Sequence, residues 1–429
     1  MALTTRVAAL VLLGVVPAVI WPDAGVALLW PALVLVLVGL DVLLAASPKE
    51  IRLSRDGGEQ VRLAESTRTS LVVRNTGRRT ARGLLRDGWP PSAGAEPARH
   101  RIDVPPGESR RVTTTLTPTR RGDRLADRVT LRLLGPLRLA GRQRSLEVPG
   151  WVRVLHPFPS RKHLPSRLAV LRELDGRAAV RTRGQGTEFD SLRDYVEGDD
   201  VRSIDWRATA RRRHLVVRTW QPEQHRRIVI VVDTGRTSAG RVGDAPRLDA
   251  AMDAALLLTA LAGHAHDRVQ VVAGDRRVRA RVTGSDRAAL LHDVISTLAP
   301  VDAQLVESDW GVLAAEVARS THRALVVLLT PLEPAAVEEG LLPVLPALVA
   351  RHRVVVASVS DPAVDAMREA RDGSRQVWGA AAAERTAGRR AATADALGRL
   401  GVDVIDAPPD RLPVRLADHY LALKRQGLL

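Results

Sequence analysis

The chain has 429 residues, 64 lysines and arginines against 48 aspartates and glutamates, and no cysteine. This length allows two or three domains, and the lack of cysteine excludes disulfides, thiolate metal ligands and cysteine nucleophiles. The formal charge of +16 would suit a polyanionic partner. The arginines are, however, scattered through every segment, whereas a nucleic-acid-binding surface gathers them on one face. We therefore predict no nucleic-acid binding.

Residues 1–46 contain two apolar stretches separated by the turn "PDAG". The second stretch, residues 25–46, is long enough for a membrane-spanning helix, and the first reaches that length only if residues 2–21 are all counted. Basic residues flank both outer ends, whereas the turn carries only Asp23. By the positive-inside rule we predict a two-helix transmembrane hairpin in contact with membrane lipid, with both flanks on the cytoplasmic side. A cleaved secretory signal and a buried soluble hairpin are the alternatives.

One charged residue interrupts the second apolar stretch. Asp41 lies near its inner end, where a carboxylate can reach the interface. We expect its side chain to be solvated there; a functional intramembrane carboxylate is the alternative.

Residues 47–157 show a period of two. In "RVTLRLL", residues 128–134, apolar and polar side chains alternate, and other short runs of this kind are separated by glycine and proline. Strands with this spacing predict an antiparallel β-sandwich of immunoglobulin-like type. Nothing in this segment resembles a catalytic constellation.

Residues 226–429 alternate between apolar strands and helices. "RRIVIVVDTG" is a continuous apolar run, as expected for a central parallel strand that is covered on both faces. Helical spacing follows at about residues 247–265, and later strands include "RALVVLLTP" and "RVVVASVSD". The pattern predicts an α/β doubly wound domain, with ligands bound at the carboxyl ends of its strands.

A charged connector, residues 158–225, joins these two parts. Within it, "GTEFDSLRDYVEGDDVRSIDWRATARRRHLVVR" runs from residue 186 to residue 218. We predict a short helix over "SLRDYV" with Leu192 and Tyr195 on one face. Gly198 would end this helix, and Asp199 or Asp200 would cap the next turn.

The same segment offers partners for an ion-pair network. We expect Ile204 and Trp206 to anchor the segment on the domain. Bidentate arginine–carboxylate pairs are geometrically strict and would fix the loop even where each pair contributes little energy. The candidate carboxylates are Glu188, Asp199, Asp200 and Asp205, and the candidate arginines are Arg193, Arg202, Arg207 and Arg211.

This series resembles a known family. "GQGTEFDSLRDYVEGDDVRSIDWRATARRRHLVVRTW", together with the apolar hairpin, the β segment and the "VVDTG" strand, is similar to bacterial proteins of the domain-of-unknown-function family 58, in which such a series precedes a von Willebrand factor A-like fold. The resemblance implies an inner-membrane or cytoplasmic-face protein, often encoded beside a MoxR-type AAA+ ATPase, but no settled activity. The matching residues are Gly186, Glu188, Phe189, Leu192, Arg193, Tyr195, Gly198, Asp199, Asp200, Arg202, Ile204, Asp205, Trp206, Thr209, Ala210 and Arg211.

The resemblance also raises a metal site. Some von Willebrand factor A domains bind a divalent ion through Asp-x-Ser-x-Ser, a later threonine and a later aspartate, which are hard oxygen ligands. This sequence offers Asp233, Gly235 and Thr237, so one hydroxyl is missing, and "LLTPLEP" has Thr330 where the later aspartate is expected. We expect a degenerate site and no cofactor, with Mg²⁺ at Asp233 and Thr237 as the alternative.

Catalysis by the acidic segment would need two carboxylates with separated pKa values, or a nucleophile with a base. The acidic part contains no histidine, phosphate loop or zinc signature. We predict that the protein is not an enzyme and identify no small-molecule substrate; a hydrolase using the acidic cluster and a metal-dependent adhesion domain are the alternatives.

The segment can instead be a structural brace, a docking surface, or both. We predict a membrane-anchored scaffold that docks a partner, a MoxR-type ATPase by the family resemblance, through residues 186–218 and the A-like domain.

Overall fold

The computed structural model describes residues 2–56, 58–181, 188–221, 226–284, 286–319, 322–370 and 372–429. For residues 175–181, 188–191, 219–221 and 287–288 it describes the backbone alone. The chain is a mixed α/β protein with several sheets. It divides into two compact units, Met1–Pro157 and Phe158–Leu429.

The first unit contains three helices and twelve strands among its described residues. The helices are α1 (Thr5–Leu13), α2 (Val15–Ile20) and α3 (Ala24–Leu44). The strands are β1 (Ala2–Leu3), β2 (Ile51–Arg55), β3 (Glu59–Arg62), β4 (Thr67–Asn75), β5 (Ala81–Asp87), β6 (Ala95–Glu96), β7 (Arg99–Val104), β8 (Ser109–Leu116), β9 (Gly122–Leu125), β10 (Arg128–Leu134), β11 (Ala140–Glu147) and β12 (Trp151–Leu155).

One of the described helices, α3, is long and apolar enough to cross a membrane. Together with the 3₁₀ turn Pro48–Glu50 that follows it, this helix covers Ala24–Glu50. The preceding apolar helix, Thr5–Ile20, is shorter than a spanning helix. The first stretch therefore differs from the expectation, because Ala2–Leu3 does not extend the helix. These two residues form strand β1 and pair with residues 140–141.

The two apolar stretches pack on each other at Gly14. A Cβ atom there would lie 2.2 Å from Cδ1 of Trp30, so only glycine allows this approach. The helix breaks between α1 and α2 at this residue, and the indole Nε1 of Trp30 donates a hydrogen bond of 2.9 Å to the carbonyl oxygen of Leu10. The indole thus satisfies a backbone acceptor in an apolar environment, where an unpaired one is costly.

The β part of the first unit is built from two antiparallel sheets with strand orders β1-β11-β10-β5-β7 and β2-β4-β8-β6, and a smaller sheet β3-β12-β9. Inward-facing residues of the two larger sheets share one core. It includes Leu71 and Val73 of β4, Leu85 of β5, and Leu131 and Leu133 of β10, all buried. The alternation seen in "RVTLRLL" is the cause, because a period of two places every second side chain on one face.

The second unit has the following elements among its described residues: α4 (Leu164–Arg181), β13 (Glu188–Asp194), α5 (Trp206–Arg212), β14 (Val216–Gln221), β15 (Arg227–Asp233), β16 (Arg241–Val242), β17 (Ala245–Pro246), α6 (Arg247–His264), β18 (Arg268–Gly274), β19 (Val278–Gly284), α7 (Arg287–Leu298), α8 (Trp310–Ala318), β20 (Leu325–Leu329), α9 (Pro334–Ala336), α10 (Leu345–Val349), β21 (Arg353–Val359), α11 (Pro362–Glu369), α12 (Ser374–Arg399), β22 (Asp403–Ala407) and α13 (Leu412–Gln426).

Its main sheet has six strands in the order β19-β18-β15-β20-β21-β22. Five of them are parallel, and β19 is an antiparallel edge strand. On one face Val229 and Val231 of β15 pack with Trp310, Leu313 and Leu348 of the flanking helices. The alternate residues of β15 are also buried, and α6 contacts β15 and β18. Burial on both sides explains why this strand is a continuous apolar run.

Within the second unit a carboxylate joins α6 to the turn before α4. Asp253 accepts hydrogen bonds from the hydroxyl of Ser160 at 2.8 Å and from its backbone N–H at 3.3 Å. Burial raises the pKa of Asp253 to about 6, although these hydrogen bonds act in the opposite direction. Asp253 therefore keeps its proton up to a higher pH in the folded protein than in the unfolded chain.

This shift predicts a pH-dependent stability. Because the pKa rises from 3.8 to about 6 on folding, the contribution of Asp253 is fully present below pH 3.8 and is lost as the pH rises through about 6. We expect Asp253→Asn to be more stable than the wild type at pH 7.5, on the order of 2–3 kcal/mol, because the amide oxygen still accepts from Ser160. Thermal unfolding of both proteins at pH 4 and pH 7.5 measures this difference. A variant that is less stable than the wild type at pH 7.5 contradicts it.

Candidate functional site

The charged segment folds around a pair of antiparallel strands. Arg193 of β13 lies opposite Val217 of β14, and Asp194 lies opposite Val216. The helix predicted over "SLRDYV" is therefore wrong. Two apolar residues three apart do not distinguish a helix from a strand, and pairing with β14 satisfies the backbone groups of β13. Glu188 and Phe189 belong to β13 by their backbone, their side chains lie outside the described residues, and so does Gly186.

The turn after β13 is held by one ion pair. Arg193 donates two hydrogen bonds to the carboxylate of Asp199, at 2.6 and 2.8 Å, and the backbone N–H of Val196 donates to the same carboxylate at 3.0 Å. Gly198 adopts a φ of +106°, which a residue with a side chain rarely adopts. Tyr195, half-buried, donates its backbone N–H to the carbonyl oxygen of Leu215 and so joins the turn to β14.

Two further carboxylates cap the next two turns. Asp200 accepts the backbone N–H of Arg202 at 2.9 Å and caps the short 3₁₀ turn Val201–Ser203, as predicted. Asp205 caps α5, because one of its oxygens accepts the backbone N–H groups of Arg207 and Ala208, both at 3.0 Å. Its other oxygen accepts from the guanidinium of Arg218 on β14 at 2.7–2.8 Å. Asp205 thus holds α5 against the strand pair.

These contacts determine the charge state of both carboxylates. The Arg193 guanidinium, followed by the Val196 N–H, lowers the pKa of Asp199 below its usual range. The N–H of Ala208, followed by the Arg218 guanidinium, does the same for the pKa of Asp205. Both groups are therefore charged near neutral pH and act as fixed hydrogen-bond acceptors.

Three apolar residues of the segment are largely exposed. Trp206 is 67% exposed at the first position of α5, and Val201 and Val196 are 62% and 61% exposed. The expectation that Trp206 anchors the segment is therefore wrong, because Asp205 and Thr209 make that contact instead. The hydroxyl of Thr209 accepts the backbone N–H of Val216 at 3.1 Å. Ile204 is half-buried and forms a bridge with Val217.

The remaining predicted arginines are exposed as well. Arg202, Arg207 and Arg211 are exposed, and in the part of the chain that the structure describes they form no ion pair with a carboxylate. Sequence reasoning missed Arg218 as the partner of Asp205 and His214 as the partner of Asp194 at 2.9 Å. Reading residues 188–194 as a strand would have placed Val216 opposite Asp194 and so brought His214 near that carboxylate, but it gives no signal for the Asp205–Arg218 pair.

The second candidate site lies at the carboxyl end of β15. Asp233 is buried, and its carboxylate accepts hydrogen bonds from the hydroxyls of Thr330 at 2.7 Å and Thr237 at 3.4 Å. It also accepts from the N–H of Gly235 at 2.8 Å and from the hydroxyl of Ser308. Sequence reasoning missed Ser308, which comes from the loop before α8 and carries no local signal of this contact.

These donors do not fit a divalent ion. Asp233 is the one carboxylate of the group, and no cluster of three or more histidine, aspartate or glutamate side chains suited to a metal occurs among the described residues. Glu307 is paired with Arg236 and Glu333 with Arg247. A Cβ atom at Gly235 would lie 2.2 Å from the Ser308 hydroxyl oxygen, so Ser308 occupies the space of the missing ligand. The hydroxyls and the Gly235 amide take the place of a cation by donating to Asp233.

Comparison with family models gives a match to the second unit. Residues 191–389 match the family described as "Protein of unknown function DUF58". The chain belongs to the DUF58 family over this span. The matched region begins in the strand pair of the charged segment and ends within α12, so it includes both candidate sites.

No curated protein matches the DUF58 chain in sequence. Among solved structures, the conserved hypothetical protein BatB from Bacteroides thetaiotaomicron is 13% identical, with 46% of this chain and 98% of that chain covered at a TM-score of 0.29. An aerotolerance-related membrane protein from Bacteroides fragilis is 14% identical with the same coverage and TM-score. A CARDB domain from Pyrococcus furiosus, in complex with di-metal ions, is 15% identical and covers 27% of this chain and 91% of its own at 0.18.

The caps of the DUF58 segment can be tested one at a time. Asp205→Ala removes two N–H acceptors and the partner of Arg218, so we expect α5 to open and the amides of residues 207–209 to exchange rapidly. Asp200→Ala removes one exposed cap and is the matched control, with a change confined to residues 201–203. Hydrogen exchange measured by mass spectrometry compares the two. Equal protection of α5 in both variants would show that Asp205 does not hold it.

The Asp233 cluster can be tested by restoring a carboxylate. We expect magnesium at millimolar concentration to leave the melting temperature of the wild type unchanged. Thr330→Asp places a second carboxylate beside Asp233, so the variant should be less stable without the ion and regain stability with Mg²⁺. Thr330→Asn is the uncharged control and should not respond. A magnesium-dependent shift in the wild type contradicts the assignment.

Proposed function

We propose that the protein is a membrane-anchored adaptor that docks a partner protein through the exposed apolar residues of its charged segment. The observation that carries this proposal is the exposure of Trp206, at 67%, on a helix whose start is fixed by a capping carboxylate. Aromatic residues held in place on a surface are typical centres of protein interfaces, because binding then costs little conformational entropy. Val196 and Val201 of the same segment are exposed as well.

The charges around this surface indicate the chemistry of the partner. Asp199 and Asp205 are already paired with Arg193 and Arg218. Arg207, Arg211 and Arg212 of α5 are exposed, against Glu197 and Asp200 among the exposed acids. An acidic protein surface with an apolar pocket would complement these arginines, and the charges would set orientation and association rate. A MoxR-type AAA+ ATPase is our candidate for this partner, on the basis of the family resemblance.

Membrane anchoring is the second part of the proposal. The side chains of α3 are exposed on several sides of the helix, with Leu28 at 74%, Leu29 at 69% and Leu35 at 71%. A soluble protein rarely exposes a continuous apolar surface of this kind, whereas a lipid environment covers it without cost. We place α3, with α1 and α2 packed on it, in the bacterial inner membrane, and the two soluble parts on the cytoplasmic side by the charge distribution of the flanks.

The parallel sheet of the second unit is proposed to be a doubly wound, von Willebrand factor A-like domain that acts as a binding platform without a metal. The carboxylates of the charged segment support a non-catalytic role. A general acid or base is most effective with a pKa near the working pH, and the pKa values of Asp199 and Asp205 are lowered away from it. Their oxygens are also committed to N–H groups and arginines.

The docking proposal can be tested with a matched pair of tryptophans. Trp206 and Trp378 are both highly exposed, at 67% and 78%, so replacing either by alanine should leave the fold intact. We expect Trp206→Ala to weaken binding of the purified ATPase by tenfold or more, since loss of a central aromatic residue commonly costs about 2 kcal/mol. Trp378→Ala should bind as the wild type does. Affinity measured with detergent-solubilised full-length protein decides between these outcomes.

Two results would contradict the proposal. Equal affinity of both variants and the wild type would remove Trp206 from the interface. Absence of any stable partner from solubilised membranes, with the fold intact, would favour the reading of the segment as a brace.

A further inference from the structure

The one charged residue of α3 is fully enclosed by the β part of the first unit. Asp41 is 0% exposed, so the expectation that it is solvated is wrong. Its carboxylate accepts three backbone N–H groups, from Leu137 at 2.8 Å, Leu139 at 2.7 Å and Ala140 at 2.9 Å. A charged acceptor with three amide donors is well satisfied without water. These donors belong to residues 135–141, the turn between β10 and β11 together with the first two residues of β11, which we call the anchor turn.

The end of α3 is bound to the same region. Arg142 donates to the carbonyl oxygen of Val42 at 3.1 Å, and Arg79 donates to that of Leu43. These arginines satisfy carbonyl groups that the end of a helix leaves without partners. A Cβ atom at Gly135 would lie 2.1 Å from the carbonyl oxygen of Asp41, so the turn approaches the helix as closely as a glycine permits.

The start of α1 reaches the anchor turn as well. The hydroxyl of Thr4 donates to the carbonyl oxygens of Arg138 at 2.8 Å and Leu139 at 2.9 Å, and its backbone N–H donates to Leu139 at 3.0 Å. Strand β1 pairs with residues 140–141. Both outer ends of the apolar helices are therefore attached to one short turn, which fixes how deep the turn can lie relative to the bilayer.

The outer side of the anchor turn suits a lipid surface. Leu137 is 48% exposed, and Pro136 and Arg138 are exposed beside it. Arg6, in the first turn of α1, is also exposed and close in sequence to Thr4, which binds the turn. From Ala24 to Asp41 the helix rises by about 26 Å at about 1.5 Å per residue, which is close to the thickness of about 30 Å of a hydrocarbon core.

We propose that the anchor turn is a second membrane-contacting element, in which Leu137 enters the interfacial layer and Arg138 with Arg6 binds the phosphates of anionic lipids. This proposal rests on the proposed insertion of α3. The proposal goes beyond insertion of α3, because it also places the β-sandwich at the membrane surface in a single orientation. Asp41 is the positioning residue, since its three hydrogen bonds hold the turn at the level of the helix end.

The absence of cysteine in the natural chain allows a direct test. Single variants Leu137→Cys, Leu33→Cys and Ser66→Cys carry an environment-sensitive fluorophore in full-length protein reconstituted into phosphatidylcholine vesicles with about one third phosphatidylglycerol. Leu33 lies in the middle of α3. Ser66 lies just before β4. In the pairing of β2 with β4, Leu71 lies opposite Arg55, which is the end of β2 farther along the chain from α3. Ser66 therefore marks the end of the sheet away from α3.

We expect position 137 to be quenched by a nitroxide at the lipid headgroup, position 33 by a nitroxide deep in the acyl chain, and position 66 by neither. Quenching at 33 without quenching at 137 overturns the anchor-turn proposal and leaves membrane insertion intact. No quenching at 33 overturns the membrane insertion itself.

Two further variants test the roles of the charges. In the first, Arg6→Gln and Arg138→Gln are introduced together into the Leu137→Cys protein. Quenching at position 137 should then fall severalfold in vesicles with phosphatidylglycerol and change little in vesicles of phosphatidylcholine alone. Equal loss in both lipids, or no loss in either, contradicts recognition of anionic headgroups. Adding Asp41→Ala should abolish quenching at 137 while quenching at 33 persists; retention at both positions would remove Asp41 from this role.

Discussion

The fold of the charged segment depends on carboxylates that accept backbone N–H groups at helix starts and turns. Asp205 shows this most fully, because one oxygen caps α5 and the other binds Arg218 on β14. Thr209 adds a second contact between α5 and β14, through the backbone N–H of Val216. Trp206 follows this cap directly, so the position of the exposed indole depends on the carboxylate beside it.

At two other places a carboxylate also accepts hydrogen bonds from groups of the same chain, with different donors. Asp41 accepts three amides of a turn far away in the sequence, and Asp233 accepts one amide and three hydroxyls. In each case the carboxylate accepts its hydrogen bonds from groups within the protein. We therefore propose that these acids determine shape, and that the exposed apolar and arginine side chains serve for binding.

Composition and periodicity predicted the broad organisation well. The apolar N-terminal helix, the antiparallel strands and the alternating strands and helices are present, because each depends on a local pattern of burial. The Asp200 cap was likewise local and predictable. Contacts over long separations were not: the bonds from residues 137–140 to Asp41 span nearly one hundred residues, and no pattern near Asp41 indicates them.

The charged segment shows how a local signal can mislead. Leu192 and Tyr195 are spaced as on a helix, but residues 188–194 pair with β14 instead. The apolar character of Trp206 suggested burial, whereas its neighbours Asp205 and Thr209 make the contact with β14. Both errors arise because the tertiary pairing of two strands outweighs the preferences of a few residues.

Site-specific photocrosslinking in living cells tests the central claim most directly. A photoreactive amino acid at position 206 would report what lies against α5 in the membrane, and the same group at position 378 is the reference for an exposed surface outside the proposed interface. The account predicts a single crosslinked protein at 206, with an acidic surface, that is absent at 378. Crosslinks at 206 only to lipid or to the chain itself would contradict it.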